Sequence, residues 1–280
     1  MIRSDVDTKL DLLIVLVAFD SESNTRSKIF EIEQLLGDPR VPDNIAAVVW
    51  DNRAHQLPIG DDASVVYLSS SSGNIGFGAA INAVAGIYSH RRLLLLNPDI
   101  HLDADQFTAM LQTVLDLRDD IVWAPTLLNA NGSAQTWTGS LFMRTPMQEV
   151  WDMLGFPAKF SRRVPPLYYL RGAVLSISSA LFDSVGGFDE RYFLYGEEAD
   201  LCFRLSGMGE LIVDPAIRVV HEGSQGFLGK SNAALRSSLR ARAVLHGTYS
   251  SRAAAMLVRG VGASVYRLQV IKRRLSTRAS

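Results

Sequence analysis

The sequence predicts an α/β fold: a mainly parallel central sheet flanked by helices, a mixed-sheet second half, and helices at the C-terminal end. Three observations carry this. The runs from Leu12 to Ala18 and from Leu93 to Leu96 are continuously apolar and short, as in strands buried on both faces. Helical stretches alternate with strands through the first half, the order that builds parallel sheets. After about Val122 hairpin signals and shorter strands replace that alternation.

Taken in order, Leu12 to Ala18 is the first strand. Asn24 stands where it would cap a helix from Thr25 to Leu36, which Gly37 and Pro39 would end. Strands follow from Ile45 to Trp50, closed by Asp51-Asn52, and from Val65 to Leu68. A polar loop, Ser69 to Gly73, leads into a helix from Gly76 to Ser89 and then to the Leu93–Leu96 run. In the second half Leu128-Asn129-Ala130-Asn131-Gly132 signals a hairpin. Strands are expected from Leu167 to Ile177, Leu211 to Val213 and Ile217 to Val220, and helices from Ser179 to Val185 and Glu197 to Leu205. From Ser231 onward two helices are expected, with breaks at Gly247 and Gly260-Gly262.

At 280 residues and 48% apolar content the chain can bury a large core and still carry an appendage. The expected division is a nucleotide-binding and acceptor-binding unit over 1–228 and a basic helical extension over 229–280. The net charge of −1 hides an asymmetry: residues 223–280 hold eleven Lys/Arg and no acid, against 17 basic and 29 acidic side chains elsewhere. Such a tail points to an anionic surface. It could equally be a solvated appendage or a dimerisation element, and a homo-oligomer is left open. A nucleic-acid role gains little, because no aromatic-interleaved basic stretch appears. One cysteine, Cys202, excludes an intrachain disulfide framework. The opening residues do not read as a signal peptide, and no window reaches the roughly 18 apolar residues of a membrane span. The expected location is cytoplasmic, with peripheral contact on the inner face of the cell membrane.

Chemistry concentrates where strands end. Asn97-Pro98-Asp99 closes the Leu93–Leu96 run, and Asp20 and Asp51 close two others, at the edge where open α/β sheets take ligands. A carboxylate there can hold Mg²⁺ or Mn²⁺ against a diphosphate, although Pro and Asp are also ordinary turn residues. The stretch from Gly73 to Asn82 reads Gly-x-x-Gly-x-Gly, unlike the dinucleotide fingerprint. A helix starting near Gly76 would offer N–H groups to an anion or base. Glu197-Glu198-Ala199-Asp200 opens a helix among Phe193, Tyr195 and Phe203. One carboxylate there could act as a general base, while helix-dipole preference and an Asp200–Arg204 pair account for others. His221, after a short strand, is a candidate metal ligand or a structural histidine.

Together these segments, over about residues 11–226, resemble glycosyltransferase family 2, which has the GT-A fold, and within it the bacterial rhamnosyltransferase-like members. The matching pieces are Val17-Ala18-Phe19-Asp20, Val48-Val49-Trp50-Asp51-Asn52, Asn74-Ile75-Gly76-Phe77-Gly78 with Asn82, and Leu96-Asn97-Pro98-Asp99. Further on come Arg171-Gly172-Ala173, Gly186-Gly187-Phe188-Asp189-Glu190, Tyr195 to Arg204, and His221-Glu222-Gly223-Ser224. The resemblance implies inverting, metal-dependent sugar transfer. Asp51 would read the base, and Asp99 and His221 would hold Mg²⁺ or Mn²⁺. Glu198 would be the base, with Glu197 as rival. Phe19, Asp20, Asn74, Gly76, Phe77, Asn82, Asn97, Arg171 and Gly172 would line the nucleotide sugar. Two positions depart from the family: Asn97 replaces the first carboxylate of Asp-x-Asp, and the acidic pair is Glu-Glu rather than Glu-Asp. The processive Gln-x-x-Arg-Trp motif is missing, which implies one sugar per encounter. The resemblance favours dTDP-L-rhamnose over UDP- or GDP-sugars. Its implied acceptor is a saccharide or polyprenyl-diphosphate-linked saccharide of cell-wall or O-antigen synthesis. The alternative is a nucleotide-sugar binding module without turnover.

Overall fold

The computed structural model describes residues 9–18, 22–52, 65–135, 145–156, 169–222 and 231–279. The first half runs β1 (Leu10–Ala18), α1 (Glu22–Leu36), β2 (Ile45–Asp51), β3 (Val65–Ser69), α2 (Phe77–Ile87) and β4 (His90–Leu96). The second runs β5 (Ile100–His101), α3 (Ala104–Asp116), β6 (Ile121–Leu128), α4 (Pro146–Met153), β7 (Val174–Ser178), α5 (Ser179–Ser184), α6 (Glu197–Arg204) and β8 (Glu210–His221). Two helices follow, α7 (Asn232–Tyr249) and α8 (Arg252–Ala279). The strands form one sheet in the order β3-β2-β1-β4-β7-β6-β8-β5. β3, β2, β1 and β4 are parallel; β7 turns antiparallel to β4 and β6, and β8 runs parallel to β6.

Alternation in β1 explains why an unbroken apolar run is a strand. Leu12, Ile14 and Leu16 pack with Ile29 and Ile32 of α1 and Phe107 and Met110 of α3 on one face. Leu13, Val15 and Val17 pack with Phe77, Ala80 and Ile81 of α2 and Leu201 of α6 on the other. With helices on both faces, every position of the run is buried, each large side chain contributing about 1.5–3 kcal/mol.

Several expectations shift. α1 starts at Glu22, so Asn24 lies within the helix and not at its cap. The strand expected from Leu167 starts only at Val174, and residues 169–173 before it belong to the site. The two short strands after Leu211 are one strand, whose register jumps from Pro125↔Asp214 to Thr126↔Arg218. The extra residues include Pro215, which has no N–H for the ladder. Asp103, with Gln106 closing a capping box, starts α3.

The C-terminal glycines do not break helices: Gly247 lies inside α7, Gly260 and Gly262 inside α8, and the chain turns at Ser250-Ser251. Two of them let helices approach closely. A Cβ on Gly262 would lie 3.5 Å from Leu239 Cβ, and one on Gly247 3.3 Å from Ala255 Cβ. α7 is fastened to the body by Leu235 and Leu239 against Met153, and by Arg242 bonded to Glu149 (2.5 Å) and Asp152 (2.8 Å). Glu149 is fully buried, so Arg242 offsets a charge that would be costly unpaired.

Candidate active site

The parallel strands put their carboxyl ends on one rim. Asp51 on β2 is level with Ala18 on β1, and Leu16 on β1 is level with Leu96 on β4. Antiparallel β7 brings its first residues to the same rim, where Asn97 N–H donates to Ala173 C=O at 2.8 Å. Leu128 of β6 and Val220 of β8 end there too. From Leu96 to Ile100 the chain must travel from β4 to β5, four strands away in sheet order. Four residues span at most about 14 Å, whereas four flat spacings would be about 19 Å. The sheet therefore curls, and the curl carries Asp99 to His221.

Asp99 Oδ1 lies 3.3 Å from His221 Nε2. The pairing is built into the backbone, since Ile100 is paired with His221 and Glu222 N–H donates to Asp99 C=O. Behind His221 stands Gln135, a residue the sequence did not single out. Its Nε2 donates to His221 C=O (2.8 Å) and Leu128 C=O (3.5 Å), which fixes Oε1 as the acceptor end. Oε1 lies 3.2 Å from His221 Nδ1 and 3.2 Å from Arg171 Nη1. Nδ1 must then carry the hydrogen, and a neutral His221 turns a lone pair on Nε2 towards the Asp99 carboxylate.

Arg171 leads to the acidic helix. A Cβ on the next residue, Gly172, would sit 3.3 Å from Phe77 Cε1 and 3.9 Å from Glu198 Cβ, which places this glycine beside both. Leu170 N–H donates to Cys202 Sγ at 3.4 Å and pins this segment to α6. Tyr195 (φ 73) and Gly196 (φ 89) both adopt left-handed backbone just before α6, strain of the kind found where side chains are aimed. Glu197 is 3% exposed, and its Oε2 has no hydrogen-bond partner among the described residues. Burial first, and the neighbouring Glu198 second, push its carboxyl well above the usual carboxylate range. Glu198 is half-buried and so the more accessible of the pair. Burial and the Glu198 charge push the Tyr169 phenol up to about 12, keeping it a neutral hydroxyl. Asp200 belongs to the fold, accepting from Arg204 Nε (2.7 Å) and Tyr249 OH (2.6 Å).

The glycine-rich stretch turns out to be mainly architectural. Asn52 Oδ1 accepts from Trp50 Nε1 and Ile75 N–H, and its Nδ2 donates to Gly76 C=O. Asn74 Oδ1 takes Gly76 N–H at 2.9 Å, and Phe193 C=O takes Phe77 N–H at 3.0 Å. These two N–H groups at the start of α2 are thus engaged within the protein. Asn82, within α2, is bonded across to a distant turn. Its amide accepts from Phe188 N–H and donates to Phe188 C=O and Glu190 Oε1, holding the 186–190 turn. Asn97 meets its neighbours through its backbone. Phe19 and Asp20 lie outside the described residues.

Gly76 ties these parts together. With φ 98, a Cβ there would meet Phe193 O at 2.6 Å. Gly76→Ala is expected to destabilise the fold by about 1–3 kcal/mol, lowering Tm by about 2–4 °C per kcal/mol in a thermal melt.

No protein-family model matches the chain. It is 26% identical over 207 residues to the low-salt glycan biosynthesis hexosyltransferase Agl10 of Haloferax volcanii, covering 69% of this chain and 61% of that one. It is 25% identical over 179 residues to an N-acetylglucosaminyl-diphospho-decaprenol L-rhamnosyltransferase of Mycobacterium tuberculosis, covering 56% of this chain and 58% of that one. The chain thus spans about three-fifths of the length of these curated relatives. Among solved structures, GalNAc-T7 with UDP, GalNAc and Mn²⁺ superposes with a TM-score of 0.54 at 14% identity, over 86% of this chain and 48% of that one. The mannosyltransferase PcManGT of Pyrobaculum calidifontis, with GDP-Man and Mn²⁺, gives 0.51 at 11% identity, over 98% and 81%. Residues 1–349 of S. aureus TarS give 0.51 at 13% identity, over 92% and 72%. The chain has the fold of the GT-A glycosyltransferases it superposes on, and its sequence is similar to those of curated glycan hexosyltransferases and rhamnosyltransferases.

Proposed function

We propose that this chain transfers a sugar from a nucleoside-diphosphate donor to a hydroxyl of a saccharide or lipid-linked saccharide, with inversion at the anomeric carbon. One observation supports this above the rest: Asp99, His221, Gln135 and Arg171 are linked in series, and Gly172, next after Arg171, lies beside Glu198. This arrangement joins an anion-facing end to a proton-accepting end along one rim. Glu198 takes the acceptor hydroxyl proton as that oxygen bonds to the anomeric carbon, and the bond to the diphosphate oxygen breaks on the opposite side. Arg171 stands between the two ends as a fixed positive charge for the leaving diphosphate. Asp51 accepts the N3–H of a pyrimidine base.

The residues fit a divalent cation, Mg²⁺ or Mn²⁺. No group of three His, Cys, Asp or Glu stands ready among the described residues. Hard cations at diphosphates, however, need only one or two protein ligands and keep several waters. Neighbouring octahedral ligands at about 2.1 Å from an ion lie about 3 Å apart, close to the 3.3 Å between Asp99 Oδ1 and His221 Nε2. With Nδ1–H committed to Gln135, Nε2 is the ring nitrogen turned towards Asp99, as a metal-ligating imidazole needs. Bound there, the ion would neutralise diphosphate charge.

Likeness to the mycobacterial rhamnosyltransferase supports dTDP-L-rhamnose as the donor and a polyprenyl-diphosphate-linked acceptor in cell-wall synthesis. A donor screen by thermal shift with Mn²⁺ tests the reading. At about a hundred times Kd the right nucleotide sugar stabilises the protein by about 2.7 kcal/mol. The expected rise is several degrees for one dTDP-, UDP- or GDP-sugar, and no shift with any would refute it. Asn97, standing where the family has a carboxylate, favours a second reading, a binding module without turnover. A donor that binds but is never hydrolysed or transferred would support that one.

A further inference from the structure

α8 has two apolar faces, and among the described residues only one is packed against a partner. Ala254, Val258 and Val265 are buried against α7 and α4. Leu257, Leu268, Ile271 and Leu275 are 44%, 66%, 53% and 62% exposed. At about 100° per residue these four fall within an arc of roughly 60°, roughly 100° round from the buried face. Exposed Arg267 and Arg274 flank the arc on one side and Lys272 on the other. No acidic residue occurs anywhere from Gly223 onward. α4, packed on α8 through Val150 and Met153, adds Trp151 and Phe156, exposed and stacked edge to face at 5.0 Å.

We propose that this face of α8 docks on an anionic lipid surface, the helix lying in the plane of the interface. An apolar stripe bordered only by cations is what such a surface accepts: side chains enter the acyl boundary while Lys and Arg meet headgroup phosphates. A second copy of the chain fits less well, since pairing two stripes would bring like charges together with no acid to separate them. Nucleic acid would meet the cations but leave the apolar stripe uncovered. No described helix is long and apolar enough to cross a membrane, which agrees with α8 lying flat. The surface does not depend on the catalytic reading.

Vesicle co-sedimentation of the full chain tests this. Phosphatidylglycerol-containing vesicles should retain the protein at least about tenfold better than pure phosphatidylcholine, and raised salt should weaken retention. Leu268→Ser/Ile271→Ser/Leu275→Ser, with folding checked by circular dichroism, should lower retention by about tenfold or more. Arg267→Gln/Lys272→Gln should also lower it, without touching the apolar stripe. Unchanged retention of both variants, or equal retention on neutral vesicles, would overturn the proposal. So would a dimer in sedimentation analysis that the triple variant dissociates, or salt-sensitive DNA binding without vesicle binding.

Discussion

Glu198→Gln is expected to lower turnover by about 10²–10⁴-fold while leaving donor affinity within about twofold. The glutamine keeps the shape beside Gly172 and Phe77 but cannot take a proton. Glu197→Gln should behave differently. Burial and the adjacent carboxylate favour the protonated form of Glu197, so a neutral amide at 197 is a fair mimic. Stability reports the same asymmetry. Above the ordinary value near 4.5 the unfolded chain has lost this proton while the folded protein still holds it. The folded state then binds more protons, and stability falls as pH rises through that window. Glu197→Gln should melt higher than the native protein at neutral pH, with the difference vanishing in acid. Loss of turnover on Glu197→Gln with Glu198→Gln active would exchange the roles.

Asp99→Ala is expected to abolish Mn²⁺- or Mg²⁺-dependent transfer, a loss of about 10³-fold or more. The carboxylate faces His221, and alanine would leave the imidazole as the one protein ligand of the proposed site. Gln135→Leu is the subtler companion. It removes the acceptor that fixes the hydrogen on His221 Nδ1, so the ring can present N–H towards Asp99. Changes of this kind weaken metal binding by about 10–100-fold. Full activity of either protein in EDTA would contradict a metal role.

Much of this was legible in the sequence, for physical reasons. β1 and β4 announced themselves because strands covered on both faces are unbroken apolar runs; Asp51 closes β2, Asp99 follows β4, Glu198 lies in the first turn of α6 and His221 closes β8. The meeting of Asp99 and His221 rests on the curl of the sheet and the β5–β8 pairing, which no local pattern encodes. Gln135 carried no signal beyond its place three residues after the Gly132 turn, where antiparallel pairing sets it opposite Leu127. The glycines of α7 and α8 misled because helix propensity treats glycine as a breaker, whereas close helix packing makes use of its missing side chain. The structural part Asn82 plays was illegible for a similar reason: a side-chain amide is as suited to clasping a backbone turn as to a ligand.

The most direct measurement counts Mn²⁺ bound to the protein by electron paramagnetic resonance as the ion is titrated in with dTDP or UDP. Native protein should take up a single Mn²⁺ that depends on the nucleoside diphosphate, and Asp99→Ala should bind it at least about tenfold more weakly. Equal uptake by the two proteins would contradict a site centred on Asp99 and His221.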